Sequence, residues 1–222
     1  MTTAIIVAAG KSERMGAGTD KAFLSLVNKP VVAWSLLAFE RCPDIDQIVL
    51  VVRKDQLVAA KAVVRMFGIS KMHAIVAGGA KRQESVKAGL AACDLDTRYV
   101  VVHDGARPCV KSDLISEVVK AVKRIPAVTV GHRMTDTVKR VEKGTVVSET
   151  MDRDKLWCVQ TPQGFQAKVL RAAYNALDGR EVTDDCQAVE LSGEQVKIIE
   201  SREPNFKITT VEDLQIAGAL LK

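Results

Sequence analysis

A doubly wound α/β fold around a mostly parallel sheet is what this chain of 222 residues predicts. Three observations carry that expectation. Continuous apolar runs such as Ile48-Val49-Leu50-Val51-Val52 and Val100-Val101-Val102 suit strands covered on both faces. Longer stretches of helical periodicity alternate with those runs. Small-residue and glycine-bearing turns then follow the strands, where the chain must reverse toward a helix.

Taken in order, strands are expected at 4–7, 47–52, 73–76 and 99–103, with helices at 31–41, 56–67 and 82–93 between them. In the last of these, Val86, Leu90 and Cys93 recur at helical spacing, while Ala88 and Ala91 allow close packing. A helix at 112–124 and a strand at 127–131 continue the pattern. Residues 135–153 then read differently, as two short polar strands at 137–141 and 145–148 joined by Glu142-Lys143-Gly144. They have no long apolar face, so they are expected to project as a β-arm. An isolated hairpin is marginal in water, and a second copy of the chain is the simplest partner. A strand at 157–160, a helix at 168–177, another from Asp184, a strand at 196–199 and a helix at 211–221 complete the chain. Residues 1–222 are expected to form one domain, with no repeat or linker.

Composition fits a cytoplasmic protein. Hydrophobic residues make up 47% of the chain, enough to close a good-sized core. The formal net charge is +5, but acidic and basic residues are interspersed, so phosphate-bearing small substrates are expected rather than nucleic acid. The five cysteines are odd in number and widely spaced, which argues against a disulfide scaffold or a zinc site. No run is long and apolar enough for a membrane span, and no signal peptide is expected.

The segment from Ile5 to Lys21 has the character of a phosphate-gripping loop. Ala8, Ala9 and Gly10 directly follow a buried strand, and small residues let a nucleotide approach backbone N–H groups. Lys11, Arg14 and Lys21 bring three cations to the same short stretch. Two common motifs are excluded. A Walker A loop ending at Gly10-Lys11-Ser12 would need glycine where Ile5 stands, and a dinucleotide fingerprint would need glycine where Ser12 stands.

Two further junctions sit at strand ends. In His103-Asp104-Gly105-Ala106-Arg107-Pro108, Asp104 suits a Mg²⁺ ligand facing a triphosphate, and Arg107 suits a second phosphate. A surface pair in which Asp104 caps the next segment fits the same residues, and chemistry alone leaves both open. His103 is placed to orient Asp104. Gly78 and Gly79 permit close approach of a base or ribose, and Ser85 offers a hydroxyl from the first helical turn. His73 and His132 read as structural, and Trp34 and Trp157 as packing residues.

These motifs together resemble the sugar-phosphate cytidylyltransferases. The match is carried by Ala8-Ala9-Gly10, Arg14-Met15, Lys21, Gly78-Gly79, Arg82, Ser85 and His103-Asp104 with Ala106-Arg107-Pro108. Asp136-Thr137-Val138-Lys139-Arg140, Asp152-Arg153, Gln160-Thr161-Pro162-Gln163, Thr183-Asp184-Asp185 and Phe206-Lys207-Ile208-Thr209 extend it toward the 2-C-methyl-D-erythritol 4-phosphate cytidylyltransferase family of non-mevalonate isoprenoid biosynthesis. The resemblance runs nearly end to end. It implies a Rossmann-like nucleotidyltransferase fold, CTP as co-substrate, Mg²⁺, and a homodimer joined through the 135–153 arm.

By that resemblance Arg14 and Lys21 neutralise the α-phosphate and Lys11 assists the triphosphate. Asp104 holds the metal, while the backbones at Ala8, Ala9 and Gly79 hold cytidine together with Ser85; Gly10 belongs to the same nucleotide loop. Arg107, Thr161 and Lys207 receive the sugar phosphate, with Thr137 and Arg153 reaching in from the second subunit. Ser12, Asp20 and Ala80 depart from the commonest pattern, and Asp20 brings a carboxylate beside Lys21. A ribitol 5-phosphate cytidylyltransferase shares the His-Asp-x-Ala-Arg-Pro signature and is the alternative enzyme. A dinucleotide-dependent dehydrogenase fails at Ser12, and a non-catalytic nucleotide-binding module would not need Arg14 and Lys21.

Overall fold

The computed structural model describes residues 1–10 and 20–221. In chain order, β1 (Thr2–Ala8) precedes the small strands β2 (Ser25–Leu26) and β3 (Lys29–Pro30), then α1 (Val31–Arg41), β4 (Gln47–Val52), α2 (Leu57–Met66) and β5 (Met72–Ala77). Next come α3 (Arg82–Ala91), β6 (Tyr99–Asp104), α4 (Ser112–Val122) and β7 (Ala127–Arg133). The chain continues through β8 (Lys139–Lys143), β9 (Val146–Thr150), β10 (Trp157–Gln166), α5 (Ala167–Asn175), α6 (Asp185–Leu191), β11 (Val196–Glu200) and α7 (Val211–Leu220).

The main sheet has seven strands in the order β11-β7-β10-β6-β1-β4-β5. β1 pairs in parallel with β4 and β6, β4 with β5, and β7 with β11, while β10 is antiparallel to both neighbours. The expected mostly parallel sheet is therefore present. Its central strands alternate in side-chain direction, as the two-residue period requires. Ile6, Leu50 and Val101 face Leu36, Phe39, Ile115 and Val118 on the side of α1 and α4. Ile5, Val49, Val100 and Phe165 face Leu90, Leu170, Tyr174 and Val189 on the side of α3, α5 and α6. Each such fully buried aliphatic or aromatic side chain stabilises the fold by about 1.5–3 kcal/mol.

Two expectations need correcting. The strand expected at 157–160 extends to Gln166. Pro162 and Gly164 disguise it, because neither suits an ordinary central strand. The register shifts between Gln160 and Gln163, at the cis Thr161–Pro162 bond, so proline's missing N–H falls where the ladder is interrupted. Gly164 is needed because α4 rests on the strand itself; a Cβ there would lie 2.7 Å from Val118 Cγ1.

The hairpin strands also begin later than expected, the first by two residues and the second by one. Gly144, with φ of +61°, makes the reversal, so Lys143 pairs with Val146. β8 and β9 form their own two-stranded sheet, and every residue in them is exposed. At the base, Met134 N–H donates to the Leu156 carbonyl at 3.1 Å and the Arg133 guanidinium lies 4.8 Å from the Trp157 ring centre. Among the described residues no helix is long and apolar enough to cross a membrane.

Candidate active site

The sheet places β1 between β4 on one side and β6 on the other, so connections diverge from its carboxyl end. That is where an open α/β sheet leaves a crevice for a ligand. A cleft opens there, lined by Ala8, Ala9, Gly10, Lys21, Gly79, Ser85, Asp104 and Lys207 among others. Eight expected site residues, distant in sequence, thus meet in one place. Lys11 and Arg14 lie outside the described residues.

One wall is the start of α3. Gly89 lets this helix sit directly on β1, since a Cβ there would lie 2.5 Å from Ile5 Cγ2. The preceding turn is equally tight: a Cβ on Gly78 would lie 2.5 Å from both Ala9 Cβ and Ser85 Oγ, and one on Gly79 would lie 2.4 Å from Glu84 Cβ. Glu84 accepts the N–H groups of Ala80 at 2.7 Å and Lys81 at 3.2 Å, satisfying free donors at the helix start. Ser85, only 2% exposed, donates to the Lys81 carbonyl at 3.3 Å.

Asp104 ends β6 at the floor of the cleft. Its Oδ1 accepts from Arg82 Nε at 3.2 Å and its Oδ2 from Lys207 Nζ at 2.8 Å. Burial opposes the charge, but Arg82 and Lys207 outweigh it and hold the carboxyl well below the usual carboxylate range. Arg82 Nη1 lies 2.8 Å from Asp185 Oδ2, and the Tyr174 hydroxyl donates to Asp185 Oδ1. Burial, overcoming the attraction of Arg82, raises the Asp185 carboxyl. For Arg82, burial works against the charge, but the two acids hold it firmly protonated. Arg82 and Asp185 appear in sequence motifs without a role of their own; only the fold reveals that one guanidinium joins both carboxylates.

His103 does not orient the Asp104 carboxylate. Successive residues on a strand point to opposite faces, and the imidazole packs against Phe39 with ring centres 5.1 Å apart. Thr161 Oγ1 accepts the Asp104 N–H at 3.0 Å and lies 3.1 Å from His103 Nδ1. The hydroxyl therefore gives its proton to Nδ1, which leaves Nε2–H to donate to the Arg107 carbonyl at 3.2 Å. Burial pushes the imidazole down to about 3, so it stays neutral. His103 braces Thr161 and the backbone of Arg107.

Arg107 is half-buried, donates from Nη1 to the Asn205 carbonyl at 2.7 Å, and keeps a buried Nε without a hydrogen-bond partner among the described residues. Burial lowers its affinity for a proton, with Asp104 opposing that effect. Thr137 and Arg153 are exposed, Arg153 donating to the Thr135 carbonyl at 2.7 Å. Neither is among the residues that line this cleft.

Residues 2–222 match the family model described as IspD, 2-C-methyl-D-erythritol 4-phosphate cytidylyltransferase. A protein of that name from Dehalococcoides mccartyi is 44% identical over 219 residues, covering 99% of this chain and 95% of the relative. Its counterpart in Alkaliphilus metalliredigens is 38% identical, covering 99% and 92%. The crystal structure of 4-diphosphocytidyl-2C-methyl-D-erythritol synthase from Anaerococcus prevotii superposes with a TM-score of 0.87 at 32% identity, covering 99% and 95%.

Proposed function

The chain belongs to the 2-C-methyl-D-erythritol 4-phosphate cytidylyltransferase family, and from that premise we propose that it transfers CMP from CTP to 2-C-methyl-D-erythritol 4-phosphate, releasing pyrophosphate. The observation that carries this reading is the convergence of Lys21, Asp104 and Lys207 with the small-residue turns of β1 and β5 around one cleft. The names of the curated relatives favour this substrate over ribitol 5-phosphate.

The acceptor's phosphate oxygen is already anionic, so the reaction needs no strong base. Its difficulty is bringing two polyanions together and stabilising charge on the α-phosphate during in-line displacement. Positioning and fixed cations meet that need. Arg14 and Lys21 take the α-phosphate, and Lys11 assists the triphosphate. Ala8, Ala9, Gly10 and Gly79 offer close backbone approach to the nucleotide, and Ser85 shapes the cytidine seat.

A single buried carboxylate held ionised, as Asp104 is, suits Mg²⁺, which takes one or two protein carboxylates and completes its shell with phosphate oxygens. Asp104 would hold that ion. When bound, Mg²⁺ would screen the negative charge of the triphosphate. Lys207 leaves Asp104 for the incoming sugar phosphate, and Arg107, whose neighbour Ala106 lines the cleft, supplies a second cation. The hydroxyl of Thr161 is occupied within the fold, so this residue serves the acceptor site by fixing β6 beneath it. Thr137 and Arg153 act from the arm of a second copy, in a cytoplasmic homodimer.

Pyrophosphate release measured with CTP, UTP, ATP and GTP, each with methylerythritol phosphate or ribitol phosphate, tests the proposal. Release only with CTP and methylerythritol phosphate is expected. Silence in both CTP reactions would overturn it.

A further inference from the structure

Asp20 borders the cleft next to Lys21, where an unpaired carboxylate would repel a triphosphate. Its side chain is 6% exposed, with Oδ2 lying 3.5 Å from Arg53 Nη2. The other oxygen accepts the Ala22 N–H at 3.1 Å, which caps the single 3₁₀ turn Lys21–Phe23. The Asp20 carbonyl accepts the Phe23 N–H at 3.1 Å, closing the same turn. Arg53 directly follows β4, and the last residue of β4, Val52, pairs with Ala8 of β1. The segment that carries Lys21 is therefore tied by charge to the end of the strand beside the nucleotide loop.

We propose that Asp20 and Arg53 form a positioning pair for Lys21. Asp20 fixes the turn that presents the lysine to the cleft, and Arg53 cancels the negative charge this cap would otherwise bring to the site. Burial raises the Asp20 carboxyl, partly offset by the Ala22 N–H and Arg53, so ionisation there depends on these partners. Arg53 also holds the exposed carboxylate of Asp55 through Nε at 3.2 Å and Nη2 at 3.0 Å, which orients its fork. Neither Asp20 nor Arg53 needs to touch substrate. The inference rests on Lys21 acting at the α-phosphate as described above.

Asp20→Asn keeps a capping oxygen and removes the charge, whereas Arg53→Gln removes the guanidinium beside the carboxylate and leaves its charge in place. Steady-state kinetics with CTP and methylerythritol phosphate separate the two effects. Asp20→Asn should lower kcat roughly 10- to 100-fold through a small displacement of Lys21, with KM for CTP unchanged. Arg53→Gln should lower kcat and also raise KM for CTP. Adding Asp20→Asn to Arg53→Gln should return KM to the wild-type value without a further loss in kcat. Arg53→Lys should recover part of the kcat, which a folding defect would not allow. Full kcat in Asp20→Asn, or additive losses in the double variant, overturns the pair. Lys21→Ala measured alongside keeps the two proposals distinct. An impaired Lys21→Ala with a fully active Asp20→Asn sinks the pair alone, whereas a fully active Lys21→Ala removes the reading on which it rests.

Discussion

Arg82 and Asp104 are joined across the floor of the cleft at 3.2 Å, and the same guanidinium lies 2.8 Å from Asp185. One cation thus serves two carboxylates, one of them at the centre of the site. Removing it would leave the buried Asp185 carboxylate with the Tyr174 hydroxyl but without its cation. Arg82→Gln should cost roughly 3–5 kcal/mol of stability, as expected when a buried ion pair loses one partner. Arg82→Lys should not restore it, because a point charge cannot span both acids as a planar fork does. Chemical denaturation of the two variants checks both statements; a fully stable lysine variant would show that the fork is dispensable.

Lys21→Ala should lower kcat by about 10²–10³, equivalent to about 2.7–4 kcal/mol of lost transition-state stabilisation. The thermal midpoint should stay near that of the wild type. Near-normal turnover would remove Lys21 from the chemistry.

The arm can be tested by mixing. Arg153→Ala alone should raise KM for methylerythritol phosphate more than KM for CTP. Mixed dimers of Arg153→Ala and Lys21→Ala chains would contain one site with both side chains intact. Activity should therefore reappear when the two weak variants are combined and allowed to exchange subunits. A mixture no more active than its parts would place Arg153 outside the partner's site.

Gly164→Ala tests the packing of α4 on β10. The added Cβ meets Val118 at 2.7 Å and Val128 at 3.0 Å. A loss of about 1–3 kcal/mol is expected from this overpacking. Urea unfolding measures it directly, and an unchanged midpoint would mean that α4 shifts without cost.

An acid-dependent contribution comes from Glu40, which accepts the N–H groups of Ser70 at 3.1 Å and Lys71 at 3.0 Å. Burial would raise its carboxyl, but the hydrogen bonds from Ser70 and Lys71 outweigh burial and lower it. The unfolded chain thus takes up this proton more readily than the folded one. The resulting stability is present above the ordinary glutamate value and fades as pH falls through the depressed folded value. Glu40→Gln should lower stability at neutral pH and flatten the acid limb of the unfolding curve. An acid limb as steep as the wild type's would assign the effect elsewhere.

Apolar runs in β1, β4 and β6 made the parallel half of the sheet legible, because burial on both faces leaves a plain signature. The second half of β10 was hidden by Pro162 and Gly164, whose reasons for being there are a register shift and a helix resting on the strand. Cleft-lining residues that end strands, such as Ala8 and Asp104, are legible from their position. The partners of Asp104 are not: Arg82 and Lys207 come from distant segments, and only the folded chain brings them within hydrogen-bonding range. His103 departs from its expected place for the opposite reason. Adjacency in sequence on a strand puts two side chains on opposite faces, so it reaches Thr161 rather than its neighbour's carboxylate.

Isotopic labelling decides which phosphorus is attacked. With methylerythritol phosphate, α-³²P CTP should leave its label in the cytidine-diphospho product, whereas γ-³²P CTP should leave it in pyrophosphate. Label from the γ-position appearing in the polyol product, with CDP released, would overturn CMP transfer, because the cleft would then be transferring a phosphoryl group.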